Sequence, residues 1–321
     1  MTVAAVRPIR PEEIDDFAGV GNSDPARVQE VKRYVEKMIA VGSMRPEWCF
    51  VIEEANRLRG RVAFWTLPKL DKPLDLVLLD IPWDSEDSLS LGKELLQTAL
   101  EALRGMGVKE VGHVLDTPPL APQWQTFPTE RRELLREMGF RLERETCRFE
   151  WKPGIADIPV PAGLSFRSLA EVGNEVFIEA VMRVSEGTLD RRILHDSERL
   201  GARGQALELF QDLQQLVYDP HWWQLAYNQD DECIGLVMPA KSPAFATIGY
   251  IGVMPEQRGR GYIHQLLGRG TDILLKAGVT PIRADTDVHN EPMANAFRRA
   301  GYIQFATRSE YGRNIHIEIP R

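Results

Sequence analysis

Cysteine is scarce in this chain of 321 residues, and its three copies, Cys49, Cys147 and Cys233, lie far apart. An odd number of widely spaced cysteines matches neither a disulfide framework nor the ligand spacing of a zinc site, so we expect three core thiols. The six histidines form no HExxH or comparable ligand pair, and no bound metal is expected.

Long apolar runs are also missing. No stretch approaches the ~20 consecutive apolar residues of a membrane span, so no membrane association is expected. The first 17 residues contain proline and carboxylates where a signal peptide would need an apolar segment, and we therefore expect a cytoplasmic protein.

Positive charge is outnumbered: 39 basic against 47 acidic residues give a formal net charge of -8. This balance argues against nonspecific nucleic-acid binding and suits a cationic or amine substrate better. The apolar fraction of 43% and charged fraction of 27% are typical of globular proteins. At this length, two domains are the expectation.

The same order of elements occurs twice along the chain, which supports two domains of one kind. A strand that leads into a helix at positions 6–17 has a counterpart at 166–177. Each half continues with an apolar strand, a proline, an amphipathic helix, a second strand and a last helix that ends in glycine and an aromatic residue. These paired segments are 76–81 and 248–253, 88–103 and 262–276, 109–115 and 281–287, and 130–140 and 290–302.

The predicted fold class is α/β (α+β). A hairpin is expected across 229–232, and one right-handed crossover then places strand 247–253 parallel to strand 282–287. Each half is thus expected to form a mixed sheet with one central parallel strand pair, flanked by helices. We place the domains at 1–150 and 164–321, with the proline-rich segment 151–163 as linker. One large α/β domain is the alternative.

The segment from Val253 to Ile263 joins the end of a strand to the start of a helix. Gly259 and Gly261 let the backbone turn sharply, so that several N–H groups and the helix dipole point at one place. Arg258 and Arg260 add positive charge. This combination predicts a binding site for a pyrophosphate.

Two other phosphate-binding motifs were compared with this segment. A Walker loop needs GK[ST], which is absent. A dinucleotide fingerprint would use Gly259, Gly261 and the acidic Asp285, but its third glycine is replaced by His264 and only 36 residues follow Asp285. A dinucleotide-binding oxidoreductase is therefore kept as a weaker alternative.

The pattern V-x-P-E-x-R-G-x-G, followed by a helix, a strand, Asn290 and a helix that ends at Tyr302, resembles the signature of the GNAT (N-acetyltransferase) superfamily. The resemblance implies two tandem GNAT-like domains, of which the first is degenerate, because its segment 81–87 is acidic where a phosphate should bind. It implies acetyl-CoA as co-substrate. The residues implied to bind acetyl-CoA are Ile251, Val253, Arg258, Gly259, Arg260, Gly261, Tyr262, Ile263 and Asn290.

Catalytic residues are predicted less directly. Acyl transfer to an amine needs an unprotonated nucleophile, and Asp285 is the candidate base; a structural carboxylate paired with a residue such as Arg283 is the alternative. The resemblance implies the Val253 N–H as oxyanion donor. It also implies a tyrosine as proton donor to the thiolate, but this position is Phe297, so Tyr302 or water is expected instead.

Together these features predict an acetyl-CoA-dependent N-acetyltransferase that moves an acetyl group to a primary amine of a small molecule or peptide. The first half would support the active half or shape the acceptor cleft. A non-catalytic acyl-CoA-binding sensor or scaffold is the main alternative, favoured by Phe297 and by Ile263, which occupies a position that is small in the family. We expect a monomer or homodimer.

Overall fold

The computed structural model describes residues 5–68, 70–154, 163–241 and 245–317. The chain forms two compact units: unit 1 comprises Met1–Glu143 and Arg308–Arg321, and unit 2 comprises Arg144–Thr307. Most of the predicted linker, at 155–162, lies outside the described residues. Within the described ranges, no helix is long and apolar enough to cross a bilayer.

The described part of unit 1 contains five complete strands, four α-helices and the last part of the C-terminal strand. In chain order these elements are β1 Ala5–Pro8, α1 Ile14–Gly19, α2 Pro25–Ala40, β2 Cys49–Glu54, β3 Arg57–Trp65, β4 Asp75–Asp80, α3 Ser88–Gly105, β5 Glu110–Thr117 and α4 Pro128–Glu137. The strands lie in the order β1-β2-β3-β4-β5, followed by the final strand. Helices α3 and α4 pack on one face of this sheet, and α1 and α2 pack on the other.

The parallel strands β4 and β5 diverge in unit 1, and side chains fill the gap. Their registered pairs are Asp75 with Gly112 and Leu76 with His113. Beyond them, the Leu78 N–H donates to Gln123, the Asp116 N–H donates to Gln125, and Arg131 donates to the Leu79 carbonyl. Gln123 and Gln125 both come from the loop between β5 and α4. Side chains of unit 1 therefore form hydrogen bonds with backbone groups that β4 and β5 leave unpaired where they diverge.

His113 makes the stability of unit 1 sensitive to acid. Its ring is buried, Nδ1 lies 2.9 Å from the Leu76 carbonyl, and Nε2 has no partner among the described residues. Burial lowers the pKa of His113 to about 4, although the hydrogen bond to Leu76 acts in the opposite direction. The folded protein therefore holds this ring neutral, while an unfolded histidine titrates near pH 6.5.

We expect unit 1 to lose about 2 kcal/mol of stability between pH 7 and pH 5 through His113, because the unfolded state binds a proton there that the folded state does not. The contribution is complete above the unfolded pKa and is lost as the pH falls toward about 4. Urea unfolding at both pH values checks this. In His113→Gln this pH-dependent component should disappear, whereas in the exposed His195→Gln it should remain; an unchanged pH dependence in His113→Gln would contradict the assignment.

Unit 2 contains the segment from Val253 to Ile263, for which a pyrophosphate site is predicted. The elements that follow α4 along the chain are β6 Arg141–Trp151, β7 Ser165–Ser168, α5 Leu169–Val172, α6 Asn174–Ser185, α7 Arg191–Gln214, β8 Gln224–Tyr227, β9 Cys233–Lys241, β10 Ala246–Val253, α8 Tyr262–Lys276, β11 Ile282–Asp287, α9 Glu291–Arg299 and β12 Ile303–Asn314. Strands lie in the order β7-β8-β9-β10-β11-β6. Helices α6 and α7 cover one face, and α8 and α9 cover the other.

The predicted α/β class is confirmed, with a mixed sheet in each unit. The hairpin between β8 and β9 and the parallel pairing of β10 with β11 are as expected, and α8 begins and ends at the predicted residues. The compact units differ from the predicted domains in their last strands. β6 pairs with β11 over Thr146 to Trp151, which places residues 144–151 in unit 2, and the end of β12 belongs to unit 1.

Candidate active site

A cavity of about 790 Å³ lies within unit 2. This volume is within the range of small-molecule and cofactor sites. Its walls are formed by the end of α6 and the following loop, α7, the second half of β10, the loop before α8, and parts of β11 and α9. Most of the residues singled out from the sequence are brought together here.

The cavity opens where β10 and β11 separate. Their registered pairs are Ala246 with Ile282 and Thr247 with Arg283. Past Thr247, β10 remains paired with β9 on its other side, up to Val253 opposite Gly235. Ile251 and Val253 both line the cavity. Backbone groups on this side of β10 are thus available to a ligand that enters between the strands.

The loop between β10 and α8 has the geometry of an anion site. Gly259 and Gly261 have φ values of +79° and +82°, which side-chain-bearing residues rarely adopt. Apart from the adjacent residues of the chain, no described atom lies within 4 Å of the position where a Cβ would stand on either glycine, so there is room for a ligand. Gly261 precedes Tyr262 at the start of α8, whose first N–H groups have no partner inside the helix.

The two arginines of the loop, Arg258 and Arg260, have surroundings that differ from those expected of side chains that bind an anion. The Arg258 guanidinium donates to the carbonyls of Val184 (3.0 Å) and Glu186 (2.7 Å) at the end of α6. Arg258 therefore holds this helix end against the loop, although it also lines the cavity. Arg260 is exposed and is not part of the cavity wall, so it adds positive charge beside the loop.

Asn290 caps the N-terminus of α9. Its Oδ1 accepts from the Met293 N–H at 3.3 Å, at the start of α9. The residue also lines the cavity, as do Tyr262 and Ile263. A cap and a ligand contact are therefore compatible at this position.

The two aspartates of β11 have different environments. Asp285 lines the cavity, and its side chain, 37% exposed, lies 3.4 Å from the Arg148 guanidinium. Asp287 is fully buried and accepts from the N–H groups of His289 (2.9 Å) and Arg191 (3.2 Å). Burial raises the pKa of Asp287, but these hydrogen bonds outweigh it and lower the pKa overall. Of the two aspartates, Asp285 therefore lies in the cavity wall, whereas Asp287 anchors the start of α7.

Tyr302 is not brought into the cavity. Its side chain is buried in the core, where its hydroxyl lies 2.7 Å from the Thr271 hydroxyl, and burial raises its pKa. Phe297, which packs against it at 5.3 Å between ring centroids, lines the cavity instead. The core position of Tyr302 does not support the proton-donor role expected from the sequence.

Tyr250 is a cavity residue that the sequence analysis missed. It stands on β10 among apolar residues, and its hydroxyl lies 2.9 Å from the Ser185 hydroxyl. Burial raises the pKa of Tyr250 to about 12, against the opposing hydrogen bond from Ser185. This phenol therefore stays protonated at neutral pH. A polar aromatic residue within the strand that ends at Val253 was the signal in the sequence.

Comparison with known proteins agrees with this geometry. Residues 192–302 match the Acetyltransferase (GNAT) family. These residues form a GNAT domain. The mycothiol acetyltransferase of Clavibacter michiganensis subsp. michiganensis (strain NCPPB 382) is 24% identical over 223 residues, which are 70% of this chain and 67% of that protein.

Solved structures extend the similarity beyond the GNAT domain. One is a GCN5-related N-acetyltransferase from Sphaerobacter thermophilus, with a TM-score of 0.58 and 18% sequence identity. The match covers 98% of this chain and 97% of that protein. Another is a tandem GNAT protein from the clavulanic acid biosynthesis pathway, solved without AcCoA, with a TM-score of 0.50 and 14% sequence identity. The match covers 99% of this chain and 100% of that protein. These matches establish the fold and confirm the predicted tandem GNAT arrangement.

Proposed function

We propose that this protein is an acetyl-CoA-dependent N-acetyltransferase whose acceptor is a primary amine of a small molecule or peptide, and that the reaction takes place in the cavity of unit 2. The strongest support is that two features border the same cavity: the gap between β10 and β11 and the glycine loop at the start of α8.

The donor end of the cavity fits coenzyme A. The N–H groups at the start of α8 and the open space beside Gly259 and Gly261 suit a pyrophosphate. The gap along β10 suits the extended pantetheine arm, which carries amide groups that can pair with the strand. The groups that we propose to contact coenzyme A are the backbone of Ile251 and Val253, the loop from Arg258 to Ile263, and Asn290.

The proposed reaction is direct transfer. The amine nitrogen attacks the thioester carbonyl carbon, the Val253 N–H stabilises the oxygen as it becomes negative, and the carbon–sulfur bond then breaks. The products are an amide and the coenzyme A thiol. The nitrogen loses a proton to Asp285, directly or through water, and the sulfur gains one. Cys147 and Cys233 are absent from the cavity wall, which favours direct transfer over an acyl-enzyme.

Tyr250 replaces Tyr302 as the candidate proton donor to sulfur. It lines the cavity, and its raised pKa keeps it protonated. Tyr302, by contrast, is paired with Thr271 in the core.

The relatives support acetyl transfer to a small molecule. One is a mycothiol acetyltransferase, and a solved tandem neighbour comes from the clavulanic acid biosynthesis pathway. In the described part of unit 1, side chains fill the gap between β4 and β5, and an equivalent groove for pantetheine is absent there. We therefore expect one acetyl-CoA per chain.

Calorimetric titration of acetyl-CoA tests the proposal. The wild type should bind about one equivalent with a micromolar Kd, and Gly261→Glu should weaken binding by about 100-fold or more, because it places a carboxylate where the pyrophosphate would lie. Gly278→Glu is the matched control. Gly278 has a similar φ of +72° and equally open surroundings, but it lies past the other end of α8.

The outcomes separate the candidate functions. Equal losses in the two glycine variants would show that backbone strain, not the site, is responsible. Absence of acetyl-CoA binding to the wild type would overturn the proposal, and tight NADH binding would favour the dinucleotide alternative. Binding without acetylation of any amine would favour a sensor or scaffold, the candidate that Phe297 in the cavity wall supports.

A further inference from the structure

Val184, the second-to-last residue of α6, lies directly against β10. A Cβ placed on Gly252 would be 2.8 Å from the Val184 Cβ, 3.0 Å from its Cγ2 and 3.6 Å from its Cγ1. The Val184 side chain therefore occupies the space that a side chain at position 252 would need. Both residues line the cavity, and Gly252 precedes Val253, whose N–H is the proposed oxyanion donor.

Hydrogen bonds hold this end of α6 in place. The Val184 carbonyl accepts from the Arg258 guanidinium at 3.0 Å. The hydroxyl of the next residue, Ser185, donates to the Val181 carbonyl at 2.8 Å and lies 2.9 Å from the Tyr250 hydroxyl on β10. A valine in a helix also has one strongly preferred rotamer. The Val184 side chain, in a residue that is only 5% exposed, therefore forms a wall of fixed position.

Gly252 leaves the α6 side of β10 open to an acyl group in the groove. The side chains of Ile251 and Val253 are directed to the other side of the strand, where they belong to the same apolar cluster as Leu266 of α8. With the thioester carbonyl at the Val253 N–H, the first acyl carbons lie within about one residue rise, ~3.3 Å, of Gly252 along the strand. The side chain that they meet there is Val184.

We propose that Val184 sets the size of the acyl group that the cavity accepts and selects acetyl over longer acyl groups. This inference rests on the proposed function. An acetyl group has one carbon beyond its carbonyl, whereas a butyryl group has three. The two further carbons would enter the volume that the Val184 methyl groups occupy, and forcing extra methylenes into a packed site is unfavourable. The longer acyl group is therefore excluded by shape.

Calorimetric titration of acetyl-CoA and butyryl-CoA into the full chain tests the inference and needs no acceptor amine. We expect the wild type to bind acetyl-CoA at least about tenfold more tightly than butyryl-CoA, because overpacking of this size costs that much or more. Val184→Ala removes two carbons from the wall, which equals the difference between the two acyl groups. In this variant butyryl-CoA should bind as tightly as acetyl-CoA or more tightly, because its additional carbons become buried.

Val181→Ala is the matched control. Val181 is also buried and lies about one turn earlier in α6, so the same two carbons are removed, but it is not part of the cavity wall. This variant should lose stability as Val184→Ala does and yet preserve the preference for acetyl-CoA. Val184→Thr keeps the shape of the side chain and should preserve the preference as well. Thermal unfolding of each variant shows that it is folded at the temperature of the titration.

The ratio of the two affinities decides the outcome. A purely structural role of Val184 would weaken the binding of both donors equally, whereas a changed ratio identifies its side chain as a wall of the acyl site. Equal affinities of the wild type for the two donors, tighter binding of butyryl-CoA, or an unchanged ratio in Val184→Ala would overturn the inference. If acetyl-CoA binds in those cases, the proposed function stands. If neither donor binds to the wild type, the proposed function is overturned together with the inference.

Discussion

Asp285→Asn is expected to lower kcat for amine acetylation by about 100- to 10,000-fold, the usual contribution of a positioned general base. The substitution keeps the size of the side chain but removes its ability to accept a proton. Asp285 lines the cavity and is 37% exposed, but it pairs with the buried Arg148, so its replacement also costs some stability. KM for acetyl-CoA should stay close to the wild-type value, because the glycine loop is unchanged.

Asp287→Asn is the matched comparison, two residues further on the same strand. Asp287 is fully buried and accepts hydrogen bonds from His289 and Arg191. Its loss should lower stability by about 1–3 kcal/mol. Steady-state kinetics and thermal unfolding of both variants distinguish the roles. If Asp285→Asn retained kcat within a few-fold of the wild type, Asp285 would be a structural partner of Arg148 and not the base.

The architecture of unit 2 could be predicted from the sequence because it depends on short-range patterns. The apolar stripe of α8 fixed that helix between Tyr262 and Lys276. The positive φ values of Gly259 and Gly261 demand glycine whatever the surroundings, so the loop was visible as a motif. The parallel pairing of β10 with β11 followed from the handedness of crossovers.

What the sequence did not indicate depends on contacts between distant residues. Gln123 and Gln125 fill the gap in unit 1 through bonds to the backbone of Leu78 and Asp116, and a glutamine in a loop carries no sign of such a partner. The sequence predicts that Arg258 binds an anion, whereas its guanidinium donates to carbonyls at the end of α6, more than 70 positions away. Long side chains have this freedom, whereas backbone motifs do not.

The direction of a side chain was the other source of error. Tyr302 and Tyr250 are both tyrosines near the motif, yet the hydroxyl of Tyr302 points to Thr271 in the core and that of Tyr250 points to Ser185 at the end of α6. The position of a residue in the pleat of a strand or in the turn of a helix decides where its side chain points. In β10, a bulge between Ile248 and Tyr250 changes which residues face each side of the sheet. A bulge inserts one residue and so reverses which face later residues occupy.

Gly235→Ala is expected to destabilise unit 2 by about 3 kcal/mol or more, through overpacking against a backbone that cannot move freely. A Cβ on Gly235 would lie 2.2 Å from the Gly252 carbonyl oxygen and 3.0 Å from the Val253 Cα. Gly235 is paired with Val253 across β9 and β10. The strand that carries the proposed oxyanion donor would therefore have to shift.

Gly105→Ala is the control, because it adds the same methyl group at a helical position where no atom lies within 4 Å. It should stabilise the protein slightly, by up to about 1 kcal/mol. Thermal unfolding and acetyl-CoA titration of both variants check the prediction. Gly235→Ala should weaken coenzyme binding as well as stability, because the same close approach of β9 sets the position of Val253. If Gly235→Ala were as stable as the wild type, β9 would be able to move away from β10. Gly235 would then not be what holds this end of β10 in place.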